Sequence, residues 1–249
     1  MDMMDYKSFY NRVGEQNGWD FSKLKFTVKG KNWDYQDEVL KLINERDIFL
    51  DIGTGGGEKA LSIAEHLTLL IGIDQSPNMI KTAHLNLSRT PINNCKFFEM
   101  NANNITFPSK FFNVISCRHS HFDAREVYRL LVDEGVFITQ QVCEGDKINI
   151  KKAFNRGETL SEKDGNLQKR YIKELQESGF KQVSTYEYDA TEYYERPEDL
   201  IFLLKHTPII PNFGENEEDF EVLNEYISCN QTEYGIETNS KRFMVISRK

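Results

Sequence analysis

Between residues 48 and 67 the chain reads IFLDIGTGGGEKALSIAEHL, with four glycines in the five positions 53 to 57 and Asp51 just ahead of them. A second aspartate, Asp74, closes the apolar run LLIGID, about 20 residues further on. Glycine tolerates positive φ and keeps a Cβ out of a ligand's way. In an open parallel sheet, ligands sit above the carboxyl ends of the strands, where such a turn lies. The chemistry this suggests is a nucleotide cradle, and two patterns fit it. Gly55, Gly57 and Ala60 satisfy the G-x-G-x-x-A form of a dinucleotide fingerprint, with Asp74 for the ribose. Asp51, Gly53, Gly55 and Gly57 satisfy D-x-G-x-G-x-G. Glycine spacing does not separate the two.

Asp51 does. A carboxylate at the mouth of the loop repels the pyrophosphate of a dinucleotide. S-adenosylmethionine has no phosphate, and its ammonium and sulfonium are stabilised by a carboxylate, directly or through water. Asp74 can accept from both ribose hydroxyls through its two oxygens. Each aspartate alone has a plainer use: Asp51 as a brace for the loop, Asp74 as a cap for the helix beginning near Ser76. Their joint placement on adjacent strand ends favours the cofactor reading.

Strands and helices must alternate to position these groups, and from about residue 34 to residue 142 they do. DYQDEVLKLINE predicts a helix with Asp34 as N-cap and Val39, Leu40 and Ile43 on one face. IFLDI and LLIGID predict buried strands, with EKALSIAEHL a helix between them. SPNMIKTAHLNL is a helix capped by Ser76 with Pro77 at its first position. CKFFEM, NVISC and GVFITQQV are further strands, and DAREVYRLL is a helix with capping-box spacing between Asp123 and Glu126. This alternation implies crossovers and a parallel sheet. Past Val142 come an amphipathic helix (NLQKRYIKELQESGF), a strand (KQVSTYEY), two helices (RPEDLIFLLKH, EEDFEVLNEYISC) and a closing strand, RFMVISRK. Without a repeat or a linker, the chain reads as one domain over 1–249. Its core is 34–188 and 236–249, its cover 1–33 and its insert 189–235. Cover and insert carry Tyr6, Tyr10, Trp33 and Tyr193, whose apolar bodies and polar tips suit a lid that orders over a bound ligand.

Composition narrows the function classes. With 39% hydrophobic residues the chain can bury a sizeable core. No apolar run reads as a membrane span, and MDMMDYKSFY lacks the basic-then-apolar order of a secretion signal. The cysteines, Cys95, Cys117, Cys143 and Cys229, form no CxxC pair, which argues against zinc or a disulfide framework and for a cytoplasmic setting without a metal. Net charge is −8, and between Thr185 and Tyr234 thirteen acidic residues stand against Arg196 and Lys205. Such a stretch repels phosphates, which argues against a nucleic-acid groove, and its field favours amines and other cationic acceptors.

The ordered stretches FLDIGTGGGEKALSIAE, LIGIDQSPNMI, FFEMNANNITFP, FFNVISCRHS and EVYRLLVDEGVFIT resemble the successive motifs of class I S-adenosylmethionine-dependent methyltransferases. The ending YGIETNSKRFMVISRK also resembles the last strand of many members. The resemblance implies an α/β, Rossmann-like, seven-stranded, mostly parallel sheet with an antiparallel last strand and helices on both faces. It places Asp51, Gly53, Thr54 and Gly55 around the methionine part, Asp74 on the ribose, and Gln75 and Met79 beside the adenine. Asn101 would meet the adenine amino group and Ala102 its ring nitrogen. Asn101 stands where many members have an acid, and Asp133 to Gly135 where many have Lys-Pro-Gly-Gly.

Methyl transfer is a direct displacement at the sulfonium carbon. It needs alignment, exclusion of water and, for some acceptors, removal of a proton. The resemblance places CRHSHFD at this step. Arg118 would hold the cofactor carboxylate or an acidic acceptor, and His119 or His121 would serve as base, since imidazole titrates near neutrality. A small-molecule acceptor is the leading expectation. An RNA or protein acceptor, or cofactor binding without catalysis, are the alternatives.

Overall fold

The computed structural model describes residues 24–249. The chain runs through β1 (Phe26–Lys29), α1 (Tyr35–Leu42), β2 (Ile48–Ile52), α2 (Glu58–Leu61), a 3-10 turn (Ala64–His66), β3 (Leu69–Asp74) and α3 (Pro77–Ser88). It continues through β4 (Cys95–Glu99), β5 (Phe112–Arg118), α4 (Ala124–Leu130), β6 (Leu131–Val142), α5 (Ile148–Ala153) and α6 (Asn166–Glu177). The last elements are β7 (Gln182–Tyr194), α7 (Pro197–His206), α8 (Glu218–Asn230), β8 (Gln231–Thr232) and β9 (Gly235–Arg248). One sheet takes the order β1-β7-β9-β6-β5-β2-β3-β4, with β8 paired to β9. β4, β3, β2, β5 and β6 are parallel neighbours, and β9 lies antiparallel between β6 and β7. The seven expected strands are therefore present, and β1 and β8 extend the sheet.

Local chemistry accounts for most boundaries. Asp34 accepts from the amides of Gln36 and Asp37 and starts α1, Ser76 accepts from Met79 N and starts α3, and Asp123 does the same for α4. The capping box at α4 is half made: Glu126 directs its carboxylate to Arg129 at 2.9 Å instead of back to the cap. The helix expected over EKALSIAEHL stops after one turn. Gln36 Nε2 and Ser62 Oγ donate to Lys59 O, while Asn94 Nδ2 donates to Ala64 O and Leu67 O. Side chains thus take carbonyls that a longer helix needs for its own ladder. The Asp133–Gly135 turn is a bulge within β6, where the pairing to β5 shifts register and Glu134 has φ 63°.

β7 runs past Tyr188 to Tyr194, paired with β9 throughout and with β1 over its last four residues. Residue 189, the expected start of the insert, therefore lies inside a strand. Of the expected N-terminal cover, residues 1–23 with Tyr6 and Tyr10 lie outside the described residues. Two apolar layers flank the sheet. One holds Leu130, Phe122, Tyr171 and Leu175 from the α4 and α6 side, and the other holds Tyr35, Val39, Ile80 and Ala83 from α1 and α3. A third cluster joins Ile150, Leu200, Leu204 and Leu223 of α5, α7 and α8 to Tyr194 and Ile236 at the strand ends. Burial of several such side chains, each contributing roughly 1.5–3 kcal/mol, seats these helices on the extended strands.

Candidate active site

The glycine loop leaves β2 and enters α2 directly above the sheet. Gly53, Gly55 and Gly57 have φ of 73°, 57° and 77°. A Cβ on Gly53 would stand 2.4 Å from Ser120 Cβ, and one on Gly57 would stand 2.6 Å from Phe97 Cζ. Backbone conformation and close approach both require glycine here. Asp51 accepts from Ser116 Oγ at 2.5 Å. Burial raises its pKa, against the hydrogen bond from Ser116 and the charge of Arg118, and nearby Asp74 raises it further. Asp74 itself accepts from Gly55 N (3.0 Å) and Ser76 N (2.9 Å), and burial raises its pKa too. Asp74 thus braces the loop, and its oxygens keep lone pairs for a ligand. Two neighbouring half-buried carboxyls, both raised, are stabilised by a cationic ligand and destabilised by an anionic one.

From this loop a continuous cavity of about 1560 Å³ extends along the sheet. It is lined by the glycine loop, Asp74, Gln75, Met79, Asn101 and Ala102 at one end. Met79 is buried, whereas Gln75 and Asn101 are exposed. Asn101 Oδ1 already accepts from Asn103 N at 2.9 Å, closing a local turn. Arg118, His119 and His121 line the middle. His119 sits at φ 53° with Nε2 2.7 Å from Gln140 Nε2. Burial pushes its pKa well below the usual value, helped by the charges of Arg118 and Arg242, so the ring is neutral near pH 7. His121 is exposed at the cavity's edge.

The far end was not visible in sequence. Strand register puts Arg118 opposite Gln140, Arg242 opposite both Val142 and Tyr188, and Val28 and Phe26 of β1 opposite Glu192 and Tyr194. Paired residues share a face, and so do residues two apart. One face therefore presents Arg118, Gln140, Arg242, Tyr188, Glu192 and Tyr194 to the cavity. Lys147, buried and at φ 52°, donates to Glu192 at 2.5 Å, and Tyr194 Oη donates to the same oxygen at 2.7 Å. Tyr35, the first residue of α1, also lines the cavity and donates to Ile138 O at 3.1 Å. A signal did exist: extending the alternation of β7 beyond Tyr188 places Glu192 and Tyr194 in phase.

The same parity turns Tyr193 away from the cavity. It packs on Tyr234, with Lys29 Nζ over both rings. Trp33 lies against Tyr188 at 4.6 Å and joins the α1 cluster. Neither lines the cavity, where Tyr188 and Tyr194 stand instead: Tyr193 faces away because strand side chains alternate between faces, and Trp33, ahead of α1, packs behind Tyr188. Among the described residues no helix is long and apolar enough to cross a membrane, and no group of three or more His, Cys, Asp or Glu is placed to hold a metal.

Glu158, on the loop after α5, also lines the cavity, and burial together with Glu162 pushes its pKa up to about 7. A carboxyl raised in the folded state opposes folding only where it is ionised in the unfolded chain. The penalty is absent below pH 4 and full above pH 7. Glu158→Gln is therefore expected to stabilise the protein by about 1–3 kcal/mol at pH 8 and by almost nothing at pH 4. Thermal unfolding at the two pH values checks it, and equal shifts at both contradict it.

Residues 49–135 match a family model described as a methyltransferase domain. The chain is 32% identical over 96 residues to an uncharacterized methyltransferase, YcgJ, of Bacillus subtilis (strain 168), covering 36% of this chain and 38% of that one. It is 26% identical over 134 residues to the 23S rRNA (uracil(1939)-C(5))-methyltransferase RlmD of Francisella tularensis subsp. novicida (strain U112), covering 53% of this chain and 27% of that one. Each match thus spans well under half the length of the relative. A solved putative methyltransferase from Bacillus halodurans C-125 shares the fold with a TM-score of 0.60 at 15% identity, over 86% of this chain and 98% of that one.

Proposed function

We propose that this chain, whose residues 49–135 match a methyltransferase domain, is an S-adenosylmethionine-dependent enzyme of class I acting on a small molecule. The observation that carries the reading is the single cavity joining the glycine loop to the Lys147–Glu192–Tyr194 cluster. At about 1560 Å³ it exceeds the roughly 300–1000 Å³ of a one-ligand pocket. A cofactor and a second small molecule can therefore share it. Asp51 supports the methionine ammonium, Asp74 the ribose, and Met79 with Gln75 the adenine. Asn101 and Ala102 border the base, and Gly53, Thr54 and Gly55 let the backbone come close. Bound S-adenosylmethionine supplies the methyl group on a sulfonium.

The protein's own residues would do the rest. The strand face and α7, through Leu203 and Thr207, would exclude water and orient the acceptor toward the glycine loop. Where the acceptor must lose a proton, His121 is the accessible imidazole, whereas His119 is held by Gln140 as a positioning group. The RNA-acceptor reading draws support from the RlmD match alone. The wall of the cavity favours the small molecule, since Lys147, Glu192 and Tyr194 sit buried within it.

The purified protein is expected to bind S-adenosylmethionine and S-adenosylhomocysteine and not NAD, because two raised carboxyls at the loop oppose a pyrophosphate. Calorimetry decides this, and NAD binding tighter than either methionine compound would sink the reading. An acceptor screen with labelled cofactor and product mass measurement would then identify what is methylated.

A further inference from the structure

We propose that the cavity holds an anion subsite, in which Arg118, Arg242 and Lys151 receive a carboxylate or phosphate group of the molecule to be methylated. The inference rests on the methyltransferase reading for the word acceptor, and on the cavity's own charges for the word anion. Arg118 ends β5 and lines the cavity, and its buried Nε has no hydrogen-bond partner among the described residues. A guanidinium cannot shed its charge as a lysine can. Leaving one buried without a partner is costly, so a bound anion is the natural complement.

Arg242 and Lys151 place more positive charge beside it. Arg242 is two strands away on the same face, and its charge is among the causes that lower the Arg118 pKa, after burial. All four residues line the same cavity, and the Arg242 charge also weighs against protonation of His119 and Lys151. Lys151 Nζ donates only to neutral acceptors, Glu144 O at 3.2 Å and Thr159 Oγ1 at 3.4 Å.

The carboxylates of this region are mostly committed. Asp146 pairs with Arg242 and accepts from Lys241 N, Glu192 pairs with Lys147 and Tyr194, and Glu144 accepts from Gly165 N and Leu167 N. Asp51 accepts from Ser116 and faces the position proposed for the cofactor ammonium. Glu158 and Glu162 line the cavity from the loop after α5. Among the described residues, Arg118 and Lys151 make no ion pair with a carboxylate here, although Asp146, Glu144 and Asp164 act on Lys151 by charge.

This reverses an expectation from composition. The acidic stretch 185–234 suggested amines, yet most of its carboxylates are on the outside, and Glu192, which does reach the cavity, is neutralised by Lys147. Inside, a cationic acceptor would meet Arg118 and Lys151, with Arg242 already paired to Asp146 beside them, whereas an anionic one would satisfy them. Arg is suited to carboxylate and phosphate alike through its planar fork of donors.

The test uses the full chain. S-adenosylhomocysteine binding is measured first by calorimetry, and its failure refutes the methyltransferase reading without bearing on the subsite. Inorganic phosphate and succinate are then titrated separately into the protein at constant ionic strength, with chloride as control. Saturable binding of one or both is expected, with the preferred ion separating a phosphate-bearing from a carboxylate-bearing acceptor. Lys151→Met and Arg242→Gln should weaken that binding about tenfold or more, as loss of a charge-assisted contact implies, with S-adenosylhomocysteine binding kept. Should Arg242→Gln fail to fold for want of the Asp146 pair, Lys151→Met carries the test alone. No binding beyond chloride, or undiminished binding in Lys151→Met, overturns the subsite. Arg118→Gln losing S-adenosylhomocysteine affinity while anion binding is intact removes Arg118 from it and overturns the proposal as stated.

Discussion

Replacing Asp74 by Ala is expected to weaken S-adenosylhomocysteine binding by about 30-fold to 1000-fold, the equivalent of roughly 2–4 kcal/mol for two hydrogen bonds to a charged acceptor. The structure adds a second cost. The same carboxylate accepts from Gly55 N and Ser76 N, so Asp74→Ala also frees two amides of the loop and cap, at about 1 kcal/mol each. Asp74→Asn keeps at most one of these two bonds, because Gly55 N donates to Oδ2 and Ser76 N to Oδ1 while an amide has a single acceptor oxygen. The expected result is Asp74→Asn folded, less stable by about 1 kcal/mol or more for the lost amide bond, and with clearly weakened ligand binding. Calorimetry alongside thermal unfolding measures both. An unchanged dissociation constant in a folded Asp74→Ala protein would place the ribose elsewhere.

Breaking the Lys147–Glu192 pair should produce the largest loss of stability. Both side chains are buried, 2.5 Å apart, with Tyr194 donating to the same carboxylate. Lys147→Met or Glu192→Gln leaves one partner buried without its counter-charge, and about 3–5 kcal/mol is the usual cost of such a break. The double variant should lose less than the sum of the singles, because the second change removes the orphan that the first creates. Denaturant midpoints for the two singles and the double measure it. Additive losses would show that the pair is not coupled.

The pair also fixes a pH dependence. Burial alone would raise the Glu192 pKa, but the charge and hydrogen bond of Lys147, with Tyr194 helping, hold it down at about 2. A carboxyl depressed in the folded state stabilises above its unfolded pKa and loses that contribution as pH falls through the folded value. About 3 kcal/mol of stability is therefore expected to disappear between pH 4.5 and pH 2 in the native protein and not in Glu192→Gln.

The sequence by itself determined the half of the molecule proposed to hold the cofactor. Asp51, the positive-φ glycines and Asp74 lie within one β-turn-α-β unit, where contacts are local in the chain and the periods of 2 and 3.6 report which face is buried. Caps at Asp34, Ser76 and Asp123 were readable for the same reason, since each acts on amides two or three residues on. The break in EKALSIAEHL was not, because the groups that interrupt it, Gln36 and Asn94, come from elements about 23 to 30 residues away. Only the tertiary structure decided the other half of the cavity. Lys147, Glu192 and Arg242 belong to three separate segments, and no spacing along the chain relates them to one another or to Arg118. They meet because β9 inserts antiparallel between β6 and β7 and carries β7 beyond the parallel sheet. That register puts every second side chain of the extension on one face, and burial then forces the charges among them to find partners or await a ligand.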